Sequence, residues 1–368
     1  MDCITPLERA DIPGVAQLFQ IVMRRSTTQT PLSLQTYIEQ LYLESPWRDE
    51  SISSLVFKRD GRVSGFISAL SFPLTLQGTR IRAAIGGNFM IDPALANPLA
   101  GPRLLKMFLA GPQDVSYTDT ANANARKMWE GLGSVSIQPY ALQWLRVIRP
   151  SEFALIMSSQ KKAIAGLAIL AKPLSYLIDH TLAAIPKSPF YRERTHLNAK
   201  EMTTLELLEA LRTFTARYAL APEYTESSLA WVIKHAEEKL EYGPLRKIAL
   251  YTADHILQGW FLYYPNAGNV GRVLQLGATQ RTARAVLSHL FSDAREQGSL
   301  ALLGRMEPEY VQQLASQNCV FVHRGSSLMV HSKNTDIVNS LHRGDAFFTR
   351  LEGDWWTKLQ GDTFKDGE

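Results

Sequence analysis

The strongest constraint in this sequence is an order of strands and helices that runs from residue 3 to 147 and returns, less sharply, from residue 201 to 331. In the first run, 3–7 reads as a strand. The stretch 12–24 reads as a helix, because Val15, Leu18, Phe19 and Val22 fall on one face at the helical period. A short helix over 34–43 follows. Strands over 54–58 and 63–70 flank Arg59-Asp60-Gly61-Arg62, and an Asp-Gly pair between alternating segments is a strong hairpin signal. A third strand spans 79–91. The loop 93–101 then leads to a helix over 103–109, a strand over 115–118 and a helix over 123–132 that Gly133 stops. Residues 137–147 alternate well enough for a closing strand or hairpin. Strands alternating with helices in this way predict an α/β (α+β) chain built on twisted mixed sheets.

The second run carries helices over 201–218 and 227–240, then strands over 246–253 and 257–264 around Asp254-His255. A strand over 270–278, a helix over 282–297, a strand over 300–305 and a helix over 307–317 follow, with closing strands over 319–323 and 328–331. Between the runs, 150–194 is helical and apolar, broken at Pro173, Pro186 and Pro189. Residues 163–171 are nearly all apolar behind Gln160-Lys161-Lys162, and 174–185 has only Ser175, Asp179, His180 and Thr181 as polar interruptions. The expected organisation is therefore two domains, 1–149 and 195–368, each a mixed sheet flanked by helices, joined by a helical apolar linker over 150–194. The linker's apolar faces are expected to turn inward between the domains. Contact of 160–186 with a membrane surface is the alternative.

A length of 368 residues fits two or three domains of ~150 residues each. The net charge of +4, from 39 basic and 35 acidic residues, is too weak to imply a nucleic-acid partner. Cys3 and Cys319 are read as two reduced thiols of a cytoplasmic protein rather than as a disulfide framework. The start of the chain has Asp2 and no basic-then-apolar run, so no secretory leader is expected. No apolar stretch of ~20 residues predicts a membrane span. All eight histidines lie at His180 or later. Proton transfer in the first half must then use a carboxylate, a tyrosine, an ordered water or the substrate itself. The phosphate-loop, zinc-protease, paired-cysteine and nucleophile-elbow templates are absent, so no metal site is expected.

Three local patches carry a family resemblance. Asp60-Gly61-Arg62-Val63-Ser64-Gly65-Phe66 is similar to the hairpin pattern D-G-x-x-V/I-G-F, with Ser64 at the Val/Ile position. Phe89-Met90-Ile91-Asp92-Pro93 precedes a loop in which Gly101, Leu104 and Leu105 fall on the family's second glycine and paired leucines. The loop arginine falls on Ala96 and the first glycine on Leu99. Asn122-Ala123-Asn124-Ala125-Arg126-Lys127-Met128-Trp129-Glu130-Gly131-Leu132-Gly133 is similar to N-x-x-A-x-x-x-Y-E-x-x-G-F, with Trp129 at the tyrosine. With the order of elements, these patches resemble the GCN5-related N-acetyltransferase (GNAT) superfamily, in the tandem two-domain bacterial form. Over 195–368 the resemblance is one of topology alone, although the closing stretch 344–356 looks like a tail of such tandem proteins.

The resemblance implies acetyl-CoA, or another acyl-CoA, as co-substrate and a small amine or amino sugar as acceptor, with direct transfer of the acyl group. Its implied coenzyme set is Ile91, Leu99, Ala100, Gly101, Arg103, Leu104, Asn122, Ala125 and Trp129. The physical logic is a strand, a glycine-bearing loop and a helix start that aim backbone N–H groups at a pyrophosphate. Gly101 leaves room for that approach, and Asn122 either holds the pantetheine arm or caps the helix. An indole N–H is too weak an acid to protonate a thiolate, so Trp129 leaves the family's acid role open. Asp92, Tyr117 and Asp119 are the expected catalytic candidates, with loop capping, core packing and helix capping as their alternatives. Arg281 and Arg284 in the second half either meet a phosphate or form a solvated face. A degenerate GNAT that binds without catalysis and a Fem-like aminoacyl transferase are the competing readings. The acceptor, the acyl length, the working domain and the oligomeric state stay open.

Overall fold

A computed structural model describes residues 2–95, 97–159, 165–193, 195–323 and 327–365, and over 165–172 and at 159 it describes the backbone alone. The first run forms β1 (Asp2–Pro6), α1 (Ile12–Val22), α2 (Leu32–Leu43), β2 (Leu55–Arg59), β3 (Arg62–Leu76), β4 (Thr79–Ile91), α3 (Ala100–Leu109), β5 (Val115–Ala121), α4 (Ala123–Gly131) and β6 (Val135–Ser136). The hairpin turns where expected, with Asp60 at φ 49° and Gly61 at φ 80°, a pair of left-handed residues that suits the strand twist. Residues 137–147 split into a short helix, α5 (Gln138–Ala141), and a strand, β7 (Gln143–Val147).

The linker folds as α6 (Pro150–Ser159) and α7 (Ala165–Ala184). Residues 160–164, which hold Lys161 and Lys162, lie outside the described residues. Over 173–185 the expected burial is reversed: Leu174, Leu177 and Ile178 are exposed while Ser175 and Asp179 are buried. The cause is a cap. The Asp179 carboxylate accepts the backbone N–H groups of Ser151 at 2.8 Å and Glu152 at 3.0 Å, which open α6 with no other partner. Among the described residues, no helix is long and apolar enough to cross a membrane.

The second run forms β8 (Asn198–Glu201), α8 (Thr204–Thr215), β9 (Leu220–Pro222), α9 (Glu226–Glu237), β10 (Arg246–Tyr251), β11 (Leu257–Tyr264), β12 (Val270–Ala278), α10 (Ala283–Glu296), β13 (Ala301–Arg305), α11 (Val311–Ser316), β14 (Val320–Val322), β15 (Ser327–Ser332) and α12 (Thr335–Arg343). The helix expected over 201–218 starts later, because Thr203 and Glu206 form a capping box at its head. That leaves Asn198–Glu201 extended as an edge strand on β10.

The two sheets exchange strands. The first runs β1-β2-β3-β4-β5-β15-β6 with β9 on β3, and the second runs β14-β7-β13-β12-β11-β10-β8. Thus β7 leaves the first half to pair with β13 and β14, and β15 leaves the second half to pair with β5 and β6. A cut at residue 149 does not separate the two sheets. Short alternating strands specify a register and a buried face but not the sheet that receives them. Here the receiving site is shaped for its guest: a Cβ on Gly304 of β13 would stand 2.3 Å from the Trp144 ring of β7.

Burial follows the exchange. Helices α3 and α4 cover the outer face of the first sheet through Ala100, Leu104, Leu105, Phe108 and Trp129. Helices α10 and α11 cover the outer face of the second through Val286, Leu287, Leu290 and Leu314. The largest apolar core is shared, joining Val15, Phe19 and Phe72 to Leu211, Val232, Trp260, Phe347 and Trp356. Such sharing predicts one unfolding transition for the whole chain. Gly304→Ala should lower stability by ~1–3 kcal/mol through overpacking against Trp144, and the loss should appear in urea denaturation as a shifted single transition, not as an added intermediate.

Candidate functional site

In the first sheet, β4 and β5 are parallel neighbours for only three residues each, Ala83, Ala84 and Ile85 against Val115, Ser116 and Tyr117. Beyond them the strands diverge. A bulge sharpens the divergence: the β3–β4 register shifts between Phe66 and Ser68, and Asn88 takes φ 42°. The Asn88 side chain donates to the Tyr42 hydroxyl at 2.8 Å, and the Gly87 N–H donates to Ser68 Oγ at 3.1 Å. The opening is a cavity of about 390 Å³ lined by Gly86, Phe89, Thr118, Asn122, Met128 and Trp129, among others. Gly86 cannot carry a side chain, since a Cβ there would lie 2.9 Å from Phe108 and 3.3 Å from Trp129. Beyond the paired residues, the backbone groups that 86–91 and 118–121 turn toward each other have no strand partner.

Two buried carboxylates stand where the strands part. Asp119 lies on β5, and Asp354 arrives from the closing segment of the chain. Both are almost fully buried, at 6% and 2% exposure. A Cβ on Gly87 would sit 2.3 Å from Asp354 Oδ2, and one on Gly353 would sit 2.3 Å from Asp119 Oδ2. The two glycines therefore make the space that the carboxylates occupy. Asp119 is ion-paired with Arg305 of β13, whose Nη1 donates to the Thr349 carbonyl at 3.0 Å. Burial, together with the neighbouring Asp119, pushes the Asp354 carboxyl up to about 8. Gln360, which lines the cavity, donates to Asp354 Oδ2 at 3.2 Å. Glu352, also raised by burial, accepts from Thr349, Tyr224 and Gln275.

The second sheet repeats the divergence and closes it. Strands β12 and β13 pair in parallel only through Val270, Gly271 and Arg272 against Ala301, Leu302 and Leu303. Past that point Tyr310 fills the gap, with its hydroxyl accepting from the Ala278 N–H at 3.0 Å and donating to the Ala278 carbonyl at 2.8 Å. The closing segment enters beside it, where the Arg350 N–H reaches the Leu274 carbonyl at 3.1 Å. The loop before α10 satisfies itself, because Thr279 N–H donates to Thr282 Oγ1 at 3.0 Å. Arg281 is exposed, and Arg284 pairs with Glu193 at 3.3 Å.

No protein-family model and no curated protein matches this sequence. Solved structures do match. A GCN5-related N-acetyltransferase from Anabaena variabilis aligns with a TM-score of 0.58 at 11% identity, over 91% of this chain and 74% of that one. A conserved protein of unknown function from Enterococcus faecalis, described as a probable N-acyltransferase, aligns with a TM-score of 0.56 at 10% identity, over 90% of this chain and 73% of that one. Saccharomyces cerevisiae N-myristoyltransferase with bound myristoyl-CoA aligns with a TM-score of 0.52 at 11% identity, over 89% of this chain and 77% of that one. The chain has the fold of the GCN5-related N-acetyltransferases.

On this GNAT fold the expected coenzyme residues divide. Ile91, Asn122, Ala125 and Trp129 line the cavity. Ala100 and Leu104 are buried in the core beneath α3. Gly101 is buried beside Phe89 and Ile91, whereas Leu99 and Arg103 are exposed at the helix start. Asn122 caps α4, its side chain accepting from Asn124 and Ala125 N–H groups at 3.1 and 3.0 Å. The loop also spends its own donors. Asp92 takes the Ala94 N–H at 2.9 Å, and Asn97 takes those of Leu99 at 3.1 Å and, through its carbonyl, of Ala100 at 3.2 Å. Ala96 lies outside the described residues. Of the catalytic candidates, Asp92 is the loop cap just described. Tyr117 is buried, donates to the Glu352 carbonyl at 2.6 Å, and is pushed well above its ordinary value by burial. Asp119 alone joins the buried acid cluster. The residues missing from the sequence reading are Asp354, Arg305, Glu352 and Gln360; the tail over 344–356 contains Glu352 and Asp354, and nothing in the sequence singled out Arg305 or Gln360.

Asp354, raised to about 8, is protonated in the fold below that pH and ionised once unfolded above pH ~4. Above pH ~6.5 the histidines lowered by burial are neutral in either state, so up to about 8 the folded Asp354 keeps a proton that the unfolded one has lost, and its contribution to stability falls as pH rises. The melting temperature should drop from pH ~6.5 to mildly alkaline pH, and Asp354→Asn, which stays neutral, should flatten the drop. A wild-type melting temperature that climbs over the same interval would rule out a protonated Asp354.

Proposed function

We propose that the chain is an acyl-CoA-dependent N-acyltransferase whose coenzyme cleft is the one between β4 and β5. What carries this reading is the pairing of an open cleft in the first sheet, which has a buried acid pair behind its lining residues Gly87 and Gln360, with a filled cleft in the second. The thioester carbonyl would face those backbone N–H groups of 86–91 that turn away from β3 toward the cleft, and these would stabilise the oxyanion. Acetyl-CoA is the proposed donor, and a small amine or amino sugar the acceptor, its nitrogen drawn to the Asp119–Asp354 acids. Support for a coenzyme with an acyl thioester comes from the fold it shares with a myristoyl-CoA-bound enzyme. The two separate cysteines suit a reducing cytoplasm.

Asp354 is assigned as the base. The amine attacks the thioester carbon, its proton passes to the Asp354 carboxylate, and the carbon–sulfur bond breaks with the electron pair left on sulfur. The proton then returns from Asp354 to the thiolate. Burial lifts this carboxyl far above the ordinary carboxylate range and toward a thiol's pKa of ~8.5, so one carboxyl would serve both steps without the tyrosine that Trp129 replaces. A second reading, a GNAT that binds a ligand without turnover, is favoured by the loop donors already spent on Asp92 and Asn97.

Acetyl-CoA titrated calorimetrically should bind, and a thiol-release assay across an amine panel should show turnover that rises with pH toward a plateau above about 8. Asp354→Asn should cut kcat by ~10²–10⁴-fold with little change in coenzyme affinity. Failure to bind at millimolar acetyl-CoA sinks the enzyme, and binding without any thiol release selects the second reading.

A further inference from the structure

On the outer face of the second sheet, far from the coenzyme cleft in the fold, β7, α10 and the segment 186–193 enclose a cavity of about 320 Å³. Four guanidinium groups line it: Arg146, Arg192, Arg284 and Arg295. Arg284 is matched by Glu193, and Arg192 by Glu296. Among the described residues the other two make no ion pair, although Asp179 and Glu152 act on Arg295 from further off. Arg295 gives Nη1 to the Ile148 carbonyl at 2.8 Å and Nη2 to the Asp179 carbonyl at 2.6 Å. Arg146 is only 7% exposed, gives Nη1 to the Pro189 carbonyl at 2.8 Å, and lies 5.6 Å from the Phe291 ring. Its Nε–H is buried with no acceptor.

A buried guanidinium is rarely left with one neutral acceptor, because desolvating the charge is costly unless a counter-charge replaces water. The rest of the lining suits that counter-charge. Ser188, Ser292, Gln317 and Asn318 bring neutral polar groups to the same space. The shape of a guanidinium favours paired bonds to a planar or tetrahedral oxyanion. We propose that this cavity is a binding site for a small oxyanion-bearing ligand, an organic or inorganic phosphate or a carboxylate, with Arg146 as its principal contact. The site is independent of the coenzyme cleft.

The test uses the full chain, with inorganic phosphate and malonate as separate calorimetric titrants. Saturable binding of either is expected, and the stronger of the two tells phosphate from carboxylate chemistry. Arg146→Met keeps the stem beside Phe291 and removes the charge, so it should weaken binding roughly tenfold or more. Ser292→Asp places a carboxylate in the cavity, so it should abolish binding and raise the melting temperature in anion-free buffer. If Arg146→Met does not fold, the wild-type titrations and Ser292→Asp decide alone. No saturable binding of either anion to the wild type, or unchanged affinity in either folded variant, overturns the site.

Discussion

The ion pair between Asp119 and Arg305 ties the two halves of the molecule together. Each residue lies on the strand that diverges from its parallel neighbour, β5 in the first sheet and β13 in the second. Both are buried, at 6% and 8% exposure, so neither charge is satisfied without the other. Buried pairs of this kind add little net stability over apolar packing, but loss of one partner strands the other at a cost of ~3–5 kcal/mol. Their value here is positional. Arg305 also holds the Thr349 carbonyl, which brings the closing segment past both clefts and sets Asp354 on Gly87. Asp354, buried beside Asp119 with no such cationic partner, is the carboxyl that burial raises.

The same closing segment gives the two clefts opposite fates. Its Phe347, Phe348 and Leu351 are buried in the shared core, and Arg350 reaches the backbone of β12 where Tyr310 already bridges Ala278. The second cleft thereby becomes part of the interior. Further on, Leu359 and Gln360 line the first cleft without plugging it, and Gln360 bonds Asp354 buried behind them. A single segment thus seals one opening and equips the other. That asymmetry, more than any motif, distinguishes two halves whose strand order is alike.

Local chemistry was legible in the sequence wherever a local rule decided the outcome. Asp60-Gly61 turns a hairpin because both residues accept positive φ, Gly133 ends α4 at φ 83°, and Asn122 caps that helix. The order of elements followed from periodicity. Destinations did not. Trp144 and Val330 look alike as strand residues, and only the space left by Gly304 and the core around Val330 decides which sheet takes them. The buried face of α7 was read backwards because its polar residues looked like interruptions. Asp179 is instead the reason the helix sits as it does. Asp354 was invisible for a related reason: its neighbours Asp119, Gly87 and Arg305 come from three other strands, so no spacing along the chain announces the cluster.

The substitution of Trp129 for the family's tyrosine is easier to understand once the cleft is seen whole. Trp129 packs edge-on against Phe108 and fills the space beside Gly86, where it walls the cavity on the α4 side. A residue so placed shapes and dries the cleft. Burial is also the larger part of what raises Asp354, which lies against Gly87 at the edge of the same cleft. An indole at 129 offers the cleft no usable acid, so the proposed mechanism needs its proton carrier elsewhere. On that proposal the carrier is Asp354, in the closing segment of the chain rather than in the helix after β5.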